Sequence, residues 1–326
     1  MKKTRQLGFS LIELMIAITL GFVVIGALGT VFLGARQSYR VQDGMSRLQE
    51  NGRYAMDLMA RDIRQAGYVG CARDAKVTNI VSPAADYNTY TAGIVGYESG
   101  LPTGLTSSER IAGTDVVKVQ FASSASVNLT GKLTTNNANI QLSGNPNNFA
   151  AGDVLFVTDC GNLDVFKATN VSNGASGITI AHSSSANSTN NLSKLYGADS
   201  EVMQLQTAIY YVGNGIGGVP TLFRKRLVGS ALSAGEELVE GVQDMQILYG
   251  EDINGDLAAD RYLDATTIGS NMNNVVSVRI SLLMRSLDQI TTRPVPYSFS
   301  GVSSTPTDRF LRRVFSSTVN LRNRTP

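Results

Sequence analysis

One apolar run near the N-terminus constrains this chain more than any other feature. It covers residues 9–35, follows a short basic segment at residues 2–5, and contains a single charged side chain, Glu13. As a helix rising about 1.5 Å per residue it would be about 40 Å long, which exceeds the roughly 30 Å hydrocarbon core of a bilayer. The run therefore predicts a membrane-spanning helix, and a carboxylate within it requires a specific explanation.

The order of the N-terminal segments differs from that of an ordinary secretory signal. A secretory signal places its small-residue cleavage site after the apolar core, whereas here the small residue Gly8 precedes the apolar run. Cleavage after Gly8 would remove a leader of residues 1–8 and keep the hydrophobic helix. An uncleaved signal anchor is the alternative. It explains the basic start by the positive-inside rule but leaves Glu13 unexplained.

Residues 8–14, with the sequence GFSLIEL, resemble the cleavage and methylation motif of type IV prepilins. The resemblance implies that a prepilin peptidase cleaves between Gly8 and Phe9 and that the new amino-terminal Phe9 is N-methylated. It also implies that the Glu13 carboxylate neutralises the amino terminus of a neighbouring subunit during assembly, because a buried charge is tolerated when it is paired. We therefore expect Glu13 to lack a partner until a neighbour arrives.

Three C-terminal blocks are similar to the PilW group of minor pilins, whereas about residues 72–200 carry no such similarity. The blocks are residues 237–250, 275–286 and 312–324. Major pilins often carry a helix-breaking proline in the middle of the apolar segment, where this chain has about Thr30, and this departure favours a minor subunit. The resemblance implies a structural subunit that primes pilus assembly in a complex at the pilus tip and supports twitching motility.

The resemblance also implies partners and a location. The partners are the other minor pilins, the major pilin, the prepilin peptidase, the inner-membrane assembly platform and a pilus-tip adhesin. Before assembly the protein would cross the inner membrane once, in contact with its lipid and with the globular domain in the periplasm. After assembly it would lie in the extracellular pilus, at the tip.

The predicted fold class is α+β and type IV pilin-like, with a long N-terminal helix packed on an antiparallel sheet that carries extra strands and loops. Apolar residues at three- and four-residue spacing predict that residues 36–70 hold an amphipathic continuation of the helix, ending at Gly67 and Gly70. Residues 71–326 would form the globular, β-rich domain. Its clearest hairpin joins residues 208–212 to residues 222–227 through a glycine-rich turn.

The two cysteines, Cys71 and Cys160, belong to no CxxC pair, which argues against a metal-ribbon or thioredoxin-like site. Because the N-terminus implies export to an oxidising compartment, they are predicted to form one disulfide. The alternative is two buried free thiols.

An acidic loop is predicted to bind calcium. Side-chain oxygens recur at relative positions 1, 3, 5 and 9 of the loop, a backbone carbonyl is expected at position 7, and this spacing resembles the opening of an EF-hand. Leu257 stands where an EF-hand has glycine, and Leu263 replaces the final glutamate, so Glu251 or Asp264 would have to complete the shell. An Asx-rich turn that binds nothing is the alternative. The candidate ligands are Asp252, Asn254, Asp256, Ala258 and Asp260.

Other functions find little support in the sequence. The net charge is +2, and it becomes −1 once residues 1–8 are removed, so nothing indicates bulk attraction to nucleic acid. The single histidine, His182, lies in a serine-rich, loop-like stretch and is expected to face solvent, and no nucleophile elbow accompanies it. We therefore predict a protein without catalytic activity. The rival interpretations are a GspJ-like minor pseudopilin of a type II secretion system, a membrane-tethered adhesin and a tethered periplasmic enzyme.

Overall fold

The computed structural model describes residues 8, 10–73, 75–174 and 177–324. One helix, α1, spans Leu11–Gln65 without interruption. Nearly all of its N-terminal half is exposed, whereas its C-terminal half buries one face that includes Leu48, Gly52, Ala55, Met59 and Ile63. These five residues follow the predicted apolar spacing, so the amphipathic continuation of the helix is confirmed.

The helix ends as the glycines predict. Ala66 caps α1, and Gly67 and Gly70 adopt φ values of 77° and 65°, a left-handed region that favours glycine. Asn323, near the C-terminus of the chain, donates from Nδ2 to the carbonyl oxygens of Gln65 and Ala66. The C-terminal segment thus satisfies carbonyl groups that the helix end leaves without intrahelical partners.

The remaining elements are short helices and β-strands. A second helix, α2, spans Ala265–Ile268, and 3-10 turns span Ile216–Gly218 and Gly269–Asn274. The strands are β1 (Lys76–Asn79), β2 (Ile94–Tyr97), β3 (Val116–Ala122), β4 (Val127–Asn128), β5 (Ile140–Leu142), β6 (Val154–Thr158), β7 (Asn162–Lys167), β8 (Asn170–Gly174), β9 (Gly177–Ala181), β10 (Glu201–Asn214), β11 (Pro220–Val228), β12 (Ala231–Leu232), β13 (Glu236–Glu240), β14 (Val242–Glu251), β15 (Arg261–Leu263), β16 (Val275–Gln289), β17 (Tyr297–Phe299), β18 (Val302–Ser304) and β19 (Phe310–Asn320).

A four-stranded antiparallel sheet in the order β15-β14-β16-β19 packs on α1. Strand β19 runs in the same direction as the helix: Arg313 contacts Met45, and Phe315 lies against Gly52. Strand β16 runs the opposite way and leads to Ile290, which packs against Gly44. The apolar face of the helix and the inner face of this sheet form the main core.

A second, larger sheet is built around the long strand β10. Its path is β1-β7-β6-β10-β11-β12; β3 and β4 also pair with β10, β2 pairs with β3, and β13 pairs with β11. The strand pair β10–β11 is antiparallel and confirms the predicted hairpin. Among the strand pairs described, β1 with β7 is parallel and the others are antiparallel. The α+β, pilin-like fold class predicted from the sequence is therefore confirmed.

Residues between α1 and β10 add a second core that lies outside the main one. A three-stranded sheet, in the order β5-β9-β8, packs with parts of β6 and β7 around a separate apolar cluster that includes Phe166 and Tyr196. The larger sheet is also tied to α1 by a polar contact, because Tyr210 of β10 donates a hydrogen bond of 2.6 Å to Asp62. Burial and the neighbouring Asp62 charge raise the pKa of Tyr210, which keeps its hydroxyl as the donor.

Candidate functional site

The start of α1 is the site that the sequence singles out. Gly8 is exposed, while Phe9 and residues 1–7 lie outside the described residues, so the cleavage bond and the N-methylated position stay predictions. Ser10 is the N-cap of α1, with extended φ and ψ of −70° and 145°. The helix would thus begin two residues after the predicted cleavage point.

Glu13 closes a capping box at this helix start. Its Oε2 accepts a hydrogen bond of 2.9 Å from the Ser10 backbone N–H, and the Ser10 side chain accepts from the backbone in return. This pairing satisfies backbone donors that a helix N-terminus otherwise leaves open. The expectation that Glu13 lacks a partner within its own chain is therefore wrong, because the S-x-x-E spacing of residues 10–13 supplies one locally.

The first half of α1 presents apolar side chains on all sides. Leu11, Phe22 and Val31 are each 69–77 % exposed, and an 18-residue window of the helix has a mean hydropathy of 2.5 with none of it buried. A helix that is apolar all round buries its surface in lipid or against other helices. By length and composition α1 is able to cross a membrane.

The cysteines form the predicted disulfide. Cys71 and Cys160 are joined across 89 residues of sequence, with their Cα atoms 4.9 Å apart. The bond connects the segment that follows α1 to the turn between β6 and β7. The alternative of two free thiols is wrong.

The acidic loop turns its oxygens toward its own backbone. Asp252 accepts from the N–H groups of Gly255 and Leu257 at 2.7 and 2.9 Å, and Asp260 accepts from that of Ile253 at 2.7 Å. Although burial opposes it, the donors to Asp252 lower the pKa of that carboxyl. Leu257, at the position where an EF-hand has glycine, adopts a left-handed φ of 66°.

The remaining loop ligands do not converge on a cation in this arrangement. The amide nitrogen of Asn254 donates to Asp256 and Asp260 at 3.2 and 3.3 Å, so it occupies oxygens that a cation would need. Within residues 8, 10–73, 75–174 and 177–324, no group of three or more His, Cys, Asp or Glu side chains is placed to hold a metal ion. Calcium binding, with the carbonyl of Ala258 as the fifth ligand, stays a prediction.

The two residues considered as additional calcium ligands serve other contacts. Glu251 is buried and accepts from Arg261 at 2.8 Å and from Asn271 at 3.0 Å. Asp264 caps α2 by accepting from the Thr267 N–H at 2.7 Å. Both carboxylates are thus already used by structure that surrounds the loop.

His182 differs from its predicted environment. It is 2 % exposed, its Nε2 lies 3.0 Å from the Ala138 carbonyl oxygen, and its ring packs edge-on against Phe166. The serine-rich sequence around it suggested solvent exposure, but His182 directly follows β9 and its imidazole is buried in the second core. This histidine contributes to packing of that core.

The sequence interpretation missed the contacts that fix the end of the four-stranded sheet nearest the apolar half of α1. Gln37, two residues beyond the apolar run, donates from Nε2 to the Ile290 carbonyl oxygen at 2.5 Å, and Arg312 forms an ion pair with Asp308 at 2.6 Å. The partners in the first contact are 253 residues apart in the chain. Only the arginine-rich 312–324 block gave any signal for this region.

Comparison with known families agrees with this geometry. Residues 3–29 match the model of the prokaryotic N-terminal methylation motif. A methylation motif at the head of a long helix that packs on a largely antiparallel sheet is consistent with the type IV pilin class. Residues 209–323, which run from within β10 to beyond β19, match the model of the type IV pilus-assembly protein W family. Together the two matches support a type IV pilin of the PilW family. Comparison with curated proteins found no match.

Proposed function

We propose that this protein is a minor pilin that primes assembly of a type IV pilus and lies in its tip complex. The observation that carries the proposal is α1, an uninterrupted helix whose exposed apolar half begins at Leu11, three positions after Gly8, and carries Glu13 in its first turn. Such a helix has two environments suited to it, namely the bilayer before assembly and a bundle of like helices afterwards. The family supports a structural, non-enzymatic role.

Processing and assembly would then follow from the order of the segments. Prepilin peptidase would cleave between Gly8 and Phe9 and methylate Phe9, leaving the helix in the inner membrane with the globular domain in the periplasm. The assembly platform would transfer it into the growing pilus, beside other minor pilins and above the major pilin. The enlarged globular domain would contact neighbours laterally and a tip adhesin, and twitching motility would depend on the resulting pili.

Because Glu13 also closes a capping box, an alanine substitution alone would not separate the role of its charge from its role in the helix cap. Glu13→Ala removes both the charge and the acceptor for the Ser10 N–H, whereas Glu13→Gln keeps an acceptor at the N3 position and removes only the charge. If charge pairing with a neighbour's amino terminus drives assembly, both variants should be cleaved normally and both should fail to restore piliation. Immunoblotting measures cleavage, and electron microscopy of a complemented deletion strain measures piliation.

The outcome for the glutamine variant decides the role of the charge. Normal piliation with Glu13→Gln but not with Glu13→Ala would show that the helix cap, and not intersubunit charge pairing, is what assembly requires. Thr19→Val is a matched control, since Thr19 lies in the same helix and donates only to backbone carbonyls one turn earlier.

The deletion strain also separates the alternatives. Loss of pili and of twitching supports the pilus proposal. Normal pili with lost protein secretion would instead identify a GspJ-like pseudopilin, and normal pili with lost surface attachment would identify a tethered adhesin.

A further inference from the structure

One end of the four-stranded sheet lies beside the point where α1 leaves its apolar segment. The apolar run ends at Ala35, and the hydrogen bond from Gln37 to Ile290 lies two residues, or about 3 Å, further along the helix. Ile290 also packs on Gly44. The end of β16 is therefore held at the height of the bilayer surface whenever α1 spans a membrane.

The connection from β16 to β19 leaves the sheet and returns to it at this end. The Thr291 N–H donates to the Arg309 carbonyl oxygen at 3.1 Å, so the outgoing and returning arms are adjacent. Arg293 and Arg309 are exposed here, and Val295 between them in sequence is 39 % exposed. Within the residues that the structure describes, neither of these arginines forms an ion pair.

This end of the molecule is rich in basic residues, whereas the rest of the chain has an excess of acidic residues. Residues 36–47 and 285–313 together contain eight arginines and three aspartates. Two of those aspartates, Asp43 and Asp308, already pair with Arg47 and Arg312. The rest of the chain after residue 8 contains 17 basic and 23 acidic residues, so the basic character is confined to the membrane-proximal end.

A groove at this end is lined by groups that suit a phosphate-bearing headgroup. A cavity of about 210 Å³ lies between α1 and the end of β16, and its lining includes Tyr39, Arg40, Arg47 and Arg285, with Asp43 and Asp288 at the same site. Arg285 stacks on Phe310 with 4.3 Å between the guanidinium carbon and the ring centre, and its Nε has no hydrogen-bond partner within the described chain. Tyr39 is 71 % exposed, and tyrosine is enriched at membrane–water interfaces.

We propose that this membrane-proximal end, defined by residues 36–47 and 285–313, binds the anionic phospholipid headgroups of the bilayer that holds α1. Arginine side chains near a membrane surface are attracted to anionic lipid, and guanidinium groups match phosphate oxygens in geometry. The contact holds the globular domain against the membrane before assembly and fixes the tilt of the helix and the domain together relative to the bilayer. The inference rests on the membrane-spanning part of the proposed function and on no other part of it.

The test uses the full chain reconstituted at one copy per nanodisc. Both native cysteines are in the disulfide, so Val295→Cys introduces one site for a bimane fluorophore. Quenching by a lipid with a nitroxide on its headgroup reports contact of that site with the membrane surface. We expect quenching at least about threefold stronger in phosphatidylglycerol-rich discs than in pure phosphatidylcholine, and we expect added salt to weaken it because salt screens exposed charges.

One control tests the position of the fluorophore, and another tests the position of the charge reversals. Ile253→Cys labels another exposed aliphatic position, in the acidic loop near the far end of α1, and should show weak quenching in both lipids. Arg293→Glu combined with Arg309→Glu should abolish the lipid dependence at position 295. Lys132→Glu combined with Arg226→Glu, at exposed positions elsewhere in the globular domain, should preserve it.

Several outcomes would overturn the inference. Equal quenching in the two lipids would do so, as would an unchanged lipid dependence in the Arg293 and Arg309 double variant. Contact that appears only with two or more chains per disc would assign the basic end to a neighbouring subunit instead. A chain that keeps the lipid contact but fails to support piliation in cells would refute the proposed function and leave this inference standing.

Discussion

Gly52 is a residue at which α1 approaches β19 closely. A Cβ at this position would lie 2.5–2.7 Å from ring atoms of Phe315, so any side chain here must displace the ring. Glycine in a helix costs about 0.5–1 kcal/mol relative to alanine, and this cost is tolerated here because the close approach buries the helix face.

Gly52→Ala should therefore destabilise the folded domain. Overpacking typically costs about 1–3 kcal/mol and opposes the gain in helix propensity, so we expect the free energy of unfolding to fall by about 1–2 kcal/mol. Thermal unfolding in detergent measures it. Gly34→Ala is the matched control, since nothing lies within 4 Å of its Cβ position, and it should not destabilise. An unchanged melting temperature for Gly52→Ala would contradict the packing.

Asp115 is the second residue whose environment carries a testable consequence. Its side chain is buried, Oδ2 accepts from the Ile247 N–H at 2.7 Å, and Oδ1 has no partner within the described residues. Burial raises the pKa of this carboxyl to about 7, more than the Ile247 donor lowers it. The folded state therefore holds a proton that the unfolded state, with a carboxyl pKa near 3.9, releases much earlier.

This difference fixes the sign of the pH dependence. The contribution of Asp115 to the free energy of unfolding is greatest below about pH 4 and falls as the pH rises to about 7, by an amount on the order of 2–4 kcal/mol. Asp115→Asn keeps an acceptor for Ile247 and should flatten the pH profile over that range, as measured by denaturant titration at several pH values. Asp199→Asn, at an exposed position, should leave the slope unchanged. If the free energy of unfolding of Asp115→Asn depends on pH as steeply as that of the wild type, Asp115 is not the source of the pH dependence.

Among the elements, the loop between β14 and β15 is the one whose function stays open. Backbone N–H groups of the loop already donate hydrogen bonds to the carboxylates of Asp252 and Asp260. The side-chain amide of Asn254 would have to rotate away from Asp260 for a cation to bind. Calcium binding would replace those amide contacts with cation contacts.

If the loop binds calcium, a concentration about 100-fold above the dissociation constant should raise the free energy of unfolding by about 2.7 kcal/mol. Melting scans with and without calcium measure this, and Asp256→Ala should remove the effect. Asp288→Asn, an acidic change outside the loop, is the control. A melting temperature that does not respond to calcium would identify the loop as an Asx-rich turn.

For the molecule as a whole, the Cys71–Cys160 bond joins the end of α1 to the region between α1 and β10. Both cysteines lie outside residues 3–29 and 209–323, the two stretches that match family models. The region between α1 and β10 has its own apolar cluster. The disulfide thus restrains the added region against the end of the helix.

Removing this bond should weaken the fold as a whole. The double substitution Cys71→Ser with Cys160→Ser is expected to lower the free energy of unfolding by about 2–4 kcal/mol, because the unfolded chain regains the freedom of a long loop. Chemical denaturation measures the loss. A reductant should destabilise the wild type to the same extent and leave the double variant unaffected; a reductant effect that persists in the variant would refute the assignment.

Local patterns in the sequence were sufficient for α1 and for the β10–β11 hairpin. The S-x-x-E cap, the three- and four-residue apolar spacing and the left-handed glycines are each encoded within a few residues. The same holds for the predicted processing motif, because its residues are consecutive in the chain. The sequence missed His182 and the role of Glu251, since both depend on elements that meet only after folding.

Sequence patterns alone were enough to predict a pilin-like chain with an apolar N-terminal helix and an acid in its first turn, because hydropathy, charge and motif spacing are local properties. Only the tertiary structure shows which end of the four-stranded sheet lies beside the apolar half of α1. The contacts of Ile290 with Gln37 and Gly44 set that end, and they join residues about 250 positions apart. Such contacts gather arginines that are scattered along the chain into one basic surface. No local pattern records it, because its members become neighbours only when β16 and β19 pack along the helix.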